Sequence, residues 1–571
     1  MTYAQYLELP QSKKIALVEV DAPESVPWIN YQPGIWFTTI SPGTDLVYDD
    51  NGNSGYWGTQ NAEYKNIGSL NVEGEQYSER ASIALVIANE KSWYYDKATT
   101  KLYVRFEDWL TPESYVIVSP GSTIGWTDQI DTTVNNYFED VYYEPLITSV
   151  PNFSKKKDSL FFGILQFQGG SISFDNTSGS FDDFATLDLY GQPVRVYLTF
   201  EGLAYADAEL IYTGKVEDFA HDFNTFQLNV ADRRKLLSRK YPINVFDAIT
   251  YPSMGSKLIG IPIPIAFGDV IKAPAYRTSA GNWKFADTTF NAIDATIVVY
   301  AKDDSVFAHG GTETDGTFTG ADTTDKLTVT YTQSAVENGL DSIADLLENY
   351  EGITYNIANY DTTEWAAEQA DVRDTGLWIG QGHLMSSSDV IQQICTDNQG
   401  IFDVLPDGRF TFRTYDEDRA SAATIKEDEL LNDPTIEYSS KEFLSSVKIE
   451  YSKDWKEKET QMYTNTDEQA EVYGQYGSYQ ERSFETALTS ESDATTLSEA
   501  IMEQSKFINP IVNLTTKTQN IGLRILDNIT YTLGRQNGTV IIPAALYQIL
   551  AINLNMSGFE VALTIKYIKG V

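Results

Sequence analysis

Between Tyr212 and Leu237 the sequence reads YTGKVEDFAHDFNTFQLNVADRRKLL. His221 stands beside Asp222 and near Asp218, and the run Asp232, Arg233, Arg234 follows. A carboxylate beside an imidazole is the chemistry of a general base or a metal ligand. A carboxylate beside a guanidinium is the chemistry of ion pairing or anion recognition. Either use needs further groups to converge. The chain has 3 histidines, His221, His309 and His383, on separate segments, and 1 cysteine, Cys395. Zinc takes three or four convergent ligands, so no metal is expected. Cys395 falls on the apolar side of SDVIQQICTDNQG, which reads as an amphipathic helix, and is expected to be a buried thiol.

Other chemistry is equally thin. DDNGNSG spaces Asp49, Asn51 and Asn53 like calcium ligands, but Ser54 and Gln60 stand where a calcium loop needs Gly and Glu. Asx turns explain the same residues. There is no H-E-x-x-H, G-x-S-x-G or phosphate-loop pattern. IGQGHLM lacks the third glycine of a dinucleotide fingerprint, and His383 is expected in a structural turn. No catalytic residue and no cofactor is expected. Trp57, Trp93 and Trp109 fall in an aromatic-rich region where they could stack sugars at a rim, or fill the core of a small β domain. With 81 acidic residues, candidate glycosidase carboxylate pairs occur everywhere and discriminate nothing.

These residues need elements to hold them. At 571 residues the chain is too long for one core, and several domains are expected. A formal net charge of -40 disfavours nucleic-acid binding and docking on anionic membranes, and fits a surface that DNA passes without sticking. No apolar run is long enough to span a bilayer and the first residues lack a signal core, so synthesis in the cytoplasm without cleavage is expected.

KKIALVEVDA alternates like a half-buried strand, as do QPVRVYLTF, AELIYTGKVEDF and NTFQLNVA. Short strands with Gly-containing turns predict a sandwich or barrel. Val216 and Phe219, then Phe226, Leu228 and Val230, predict a hairpin turning near His221–Asn224, with His221 solvated among acids and Asp232 capping a helical turn. LDSIADLLENY, SSSDVIQQICTDNQG and SDATTLSEAIMEQSKFI predict helices, and GIFDVLPDGRFTFRTY a hairpin turning at Pro406–Gly408. The fold class expected is mainly β and multidomain, with a mixed α/β middle.

The run SLFFGILQFQGGSISFDNTSGSFDDF, GQPVRVYLTF, LIYTGKVEDFAHDFNTFQLNVADRRKLL and IGIPIPIAFGDV resembles the first hub barrel of phage tail-tip proteins. That family includes contractile-tail baseplate hubs, lambda-type tail attachment proteins and gene transfer agent hubs. SSSDVIQQICTDNQGIFDVLPDGRFTF resembles their helix-hairpin module. IKEDELLNDPTIEYSSKEFLSSVKIEYSKDW and LRILDNITYTLG with YQILAINLNMSGFEVALTIKY resemble the second barrel.

The resemblance implies two tail-tube-like β-barrels. Residues 1–245 would form the first, interrupted by an inserted β domain at 32–139. A β-rich connector (246–337), the helix-hairpin module (338–430) and the second barrel (431–571) would follow. It further implies a homotrimer at the distal end of a tail, joining a sixfold tube to a threefold tip. Expected partners are the tail tube or distal tail protein, the tape-measure protein and tip or central fibre proteins. DNA would only pass through the lumen, with no direct membrane anchoring and no enzymatic activity. Receptor recognition is expected on another protein or on the aromatic insertion. Asp232, Arg233 and Arg234 become candidates for inter-subunit ion pairs. The alternative reading is a secreted or surface glycan-binding or glycan-degrading β protein.

Overall fold

The computed structural model describes strands between residues 14 and 138, then residues 141–157, 163–164, 166–167, 170–182 and 189–200. It also describes 205–570 apart from 295, 312, 324–325, 439–442 and 535–539. The chain is mainly β and forms two compact units. One comprises residues 1–152, 169–232 and 556–558; the other comprises 153–168, 233–555 and 559–571.

The first unit is built on a nine-stranded sheet. Strand Lys14–Asp21 is central, between Thr123–Thr127 and Pro193–Phe200. The sheet continues through Glu209–His221, Thr225–Ala231, Gly170–Asp175 and Ile147–Ser149. Alternation in TFQLNVA sends Phe226, Leu228 and Val230 inward, all at most 3% exposed. They lie opposite Phe174, Ile172 and Gly170 in an antiparallel register. Phe181 stacks on Phe226 with ring centroids 4.7 Å apart, and Phe174 lies 5.1 Å from Phe181. Separate smaller sheets lie within residues 29–105.

The second unit holds several hydrophobic cores among the described residues. Ile265–Pro274 is the hub of a seven-stranded sheet that also contains Thr328–Gln333, Gly376–Ile379 and Ser446–Asp454. Gly268 opens this strand's bend at φ 65; a Cβ there would stand 1.8 Å from the Thr375 carbonyl oxygen, so only glycine fits. The second core joins helix Ser387–Asp397 to the hairpin Gly400–Val404 and Phe410–Thr414, around Trp365, Tyr360 and Phe402. That helix starts with a reciprocal capping box between Ser386 and Asp389, and the hairpin turns on Gly408 at φ 84. The third core packs helix Glu491–Ser505 on Ser446–Asp454.

A further sheet in this unit is formed by the C-terminal strands. Val540–Asn555 pairs with Glu560–Gly570, which pairs with Ile511–Lys517. The other edge of Val540–Asn555 is shared. Asn528–Gly534 takes its first part and Phe153–Lys156 its last, with Phe153 opposite Leu554.

The expectation of two closed barrels is corrected here: neither sheet closes among the described residues. Closure needs a staggered ladder between first and last strands. In the first sheet the terminal strands, Tyr137–Phe138 and Ile147–Ser149, are two and three residues long and pair only inward. In the second sheet the shared edge of Val540–Asn555 branches the path instead of returning it.

Candidate functional site

The stretch around His221 closes a loop and assembles no reactive centre. His221 ends strand Glu209–His221, with its side chain 22% exposed. Its Nε2 lies 2.9 Å from Asp182 Oδ1 and 3.1 Å from Asn176 Nδ2. Asn176, fully buried, organises the group. Its Nδ2 also donates to Asp182 Oδ1 (3.0 Å) and to the Asp222 carbonyl (2.8 Å), and its Oδ1 accepts from the Phe181 amide (2.8 Å). Asp222 Oδ1 accepts the amides of Asn224 and Thr225, each at 2.7 Å, closing the turn. Those two bonds hold the Asp222 carboxyl below the usual range, and the bonds from Asn176 and His221 do the same for Asp182. Asp218 accepts from Asn229 Nδ2 across the ladder. His221 is thus less solvated than expected, because Asn176 packs over it.

Asp232 is half-buried and is the last residue of the first unit. Arg233 and Arg234 begin the second and are engaged within it. The Arg233 guanidinium donates to the Gly408 carbonyl (3.0 Å) and Asn359 Oδ1 (2.9 Å) and lies 4.9 Å from the Phe410 ring centroid. Arg234 Nη2 is 3.5 Å from Asp403 Oδ1, whose other oxygen accepts from Lys155 Nζ at 2.7 Å. Burial opposes ionisation of Asp403, but Lys155 and Arg234 outweigh it and hold the carboxyl below its ordinary value.

Trp57 and Trp93 lie on strands Asn53–Trp57 and Ser92–Asp96, and Trp109 lies outside the described residues. His383 closes a tight turn with Gly380, the two exchanging backbone bonds at 2.9 and 3.1 Å, and its ring is 4.9 Å from Trp455. Cys395 is buried, which pushes its thiol up, away from nucleophilic use. Among the described residues no group of three or more His, Cys, Asp or Glu could hold a metal ion. No helix among them is long and apolar enough to cross a membrane.

Both units carry a polar sheet face built on Ser, Thr, Asn and Gln pairs, with charged side chains beside them: Asp218 and Lys215 in the first, Glu437 and Lys566 in the second. In the first, Ser171 and Ser173 stand opposite Asn229 and Gln227 on the face away from Ile172 and Leu228. Ser171 Oγ donates to Asn229 Oδ1 at 2.6 Å and accepts from Gln227 Nε2. In the second, Asn513 and Thr515 stand opposite Thr564 and Ala562, while Val512, Leu514, Leu563 and Ile565 face the core. Thr564 Oγ1 donates to Asn513 Oδ1 at 2.7 Å. A shallow depression of about 250 Å³ runs over this face, floored by Thr435, Asn513, Ala551, Asn553 and Thr564, with Asp433 beside them.

Cross-strand hydroxyl and amide pairs hold such faces in register. The paired Ser, Thr, Asn and Gln side chains themselves carry no cation for phosphate. Sequence reading passed over these residues. The signal was present as Ser, Thr, Asn and Gln between the apolar positions of SISF, FQLNV, VNLTT and VALTI.

No family model and no curated protein matches the chain. Solved structures do. The chain is similar to the 43 kDa tail protein of prophage MuSo2 from Shewanella oneidensis (11% identity, 74% of this chain and 96% of that one, TM-score 0.35). It is also similar to a tail protein from Neisseria meningitidis MC58 (10% identity, 73% and 91%, TM-score 0.36). A third likeness is to a chain of the virion of a native gene transfer agent particle (10% identity, 59% and 91%, TM-score 0.38).

Proposed function

We propose that this chain is a structural protein of a phage tail or a related particle, acting as a hub at the distal end of the tail. The observation that carries this reading is a correspondence. The two segments whose sequences resemble the two hub barrels fold into two large sheets, each with an apolar face packed and an opposite polar face of cross-strand Ser, Thr, Asn and Gln pairs. Three copies would present six such sheets, matching a sixfold tube to a threefold tip. Their polar faces would line the conduit for the tape-measure protein and then for DNA. The role is one of geometry and surface, with no reaction step. The acidity of the whole chain, -40, works in the same sense by disfavouring adsorption of phosphate.

The test is the assembly state of the purified protein, by light scattering and negative-stain electron microscopy. Ring-shaped trimers with a central opening are expected. A monomer that binds or cleaves cell-wall glycans would overturn the hub reading in favour of a glycan-directed protein.

A further inference from the structure

Inside the second unit, one carboxyl is buried where three segments meet. Asp397, 1% exposed, is the last residue of helix Ser387–Asp397. Its Oδ1 and Oδ2 lie 3.1 and 3.3 Å from the Ala487 amide nitrogen, which donates to them. Ala487 stands in the short link from strand Glu481–Glu485 into helix Glu491–Ser505. Gln393, one turn earlier on the same helix, donates to Asp397 Oδ1 (3.0 Å) and to the Glu485 carbonyl (2.9 Å). The third segment is 373–376. Arg373 Nη1 donates to the Asp397 main-chain carbonyl (3.0 Å), and the Gly376 amide donates to the Ala487 carbonyl (2.7 Å).

The charged and titratable groups around it are Arg373 and Asp374 on the third segment, Glu485 on the link, Asp493 on the following helix and Cys395 on its own helix. Glu485 is paired with Lys453 at 2.7 Å, and Arg373 is shared between Asp493 and Asp397. A full negative charge on Asp397 would sit without water, at the end of a helix whose unpaired carbonyls already carry partial negative charge. Neutral Asp397 keeps both of its accepted bonds without that penalty.

We propose that Asp397 is a proton-controlled latch: protonated, it clamps the 485–487 link to the end of helix Ser387–Asp397, and ionised, it loosens that junction. Burial pushes the carboxyl up to about 7, against donation from Gln393 and Ala487 and the nearby Arg373, which lower it. A carboxyl raised in the folded state contributes stability that is present at low pH and lost as pH rises from 3.8 towards about 7.

Cys395, the single thiol of the chain and two residues away, reports opening directly. Its labelling by a disulfide reagent is measured on the full chain. Dividing by the rate in denaturant at the same pH removes the ordinary rise in thiolate. Opening is expected to be about 30-fold more frequent at about pH 8 than at about pH 5.5, and this dependence should vanish in Asp397→Asn. Should that variant misfold, amide exchange in the wild type decides. The Ala487 amide should show the same pH dependence while the Leu444 amide, bonded to Ser505, stays flat. Opening that is independent of pH in the wild type, or a dependence that survives in Asp397→Asn, overturns the latch.

Discussion

Replacing Asn176 by alanine should unpick the loop that His221 belongs to, and the size of the effect can be worked from its bonds. The substitution removes two donor contacts, to Asp182 Oδ1 and the Asp222 carbonyl, and the contact with His221 Nε2. It also orphans the amide of Phe181, a residue 1% exposed. Two or three net hydrogen bonds at about 1 kcal/mol each, with one buried donor left unpaired, give roughly 3 kcal/mol. That corresponds to about 100-fold faster opening. Hydrogen exchange at Gly179, Asp182 and Asn224 reads it locally, and thermal unfolding of the first unit reads it globally. Asn176→Asp sharpens the test. It keeps an acceptor for Phe181 but sets an oxygen against Asp182 Oδ1 and the Asp222 carbonyl, so at neutral pH it should do no better than alanine. Exchange within a few-fold of wild type in Asn176→Ala would refute the view that this side chain organises the loop.

Three further outcomes follow from the same geometry. Gly268→Ala should destabilise the second unit by at least about 2 kcal/mol, read as a drop in its melting temperature, because the added carbon meets the Thr375 carbonyl at a positive φ. Lysines at Ser173, Gln227, Asn513 and Thr564 should turn a protein that ignores duplex DNA at low salt into one that retains it. The log–log salt slope should steepen by about 0.9 for each phosphate contacted, measured by fluorescence anisotropy. Asp182 and Asp222 are held below the ordinary carboxylate value by bonds that favour their charged forms. Their contribution is therefore present above 3.8 and lost as pH falls below it, so hairpin amides at Asn224 and Thr225 should lose protection selectively in acid.

Elements with a strong local pattern were legible in the sequence. The alternation in NTFQLNVA and the cap and apolar stripe of SSSDVIQQICTDNQG each led to an element of the expected kind. Helix Thr362–Gln369 was passed over because TTEWAAEQ has little apolar periodicity beyond Trp365, and Gln469–Tyr476 because it buries Val472 alone. Helix LDSIADLLENY starts one residue earlier, at Gly339, since Asn338 caps it, and it widens into a π turn over Leu346–Tyr350. The open sheets were not legible, because whether a first strand meets a last one leaves no local pattern. The same holds for the His221 loop. SFDNTSGSFDDF announces a turn, but burial of Asn176 depends on a histidine far along the chain.

The pairing of Phe153–Lys156 with the last part of Val540–Asn555 sets an order of events in synthesis. These strands are about 400 residues apart in sequence. The edge that Phe153–Lys156 presents to Val540–Asn555 therefore stays unpaired until residues 551–554 have left the ribosome. At translation rates of about 5–20 residues per second, that is roughly 20–80 seconds during which an open β edge must be kept from the wrong partner. The second unit is consequently a late-folding body, since this sheet cannot be completed before residue 554 has been made. A product truncated before Val540 would leave that edge open to aggregation or proteolysis.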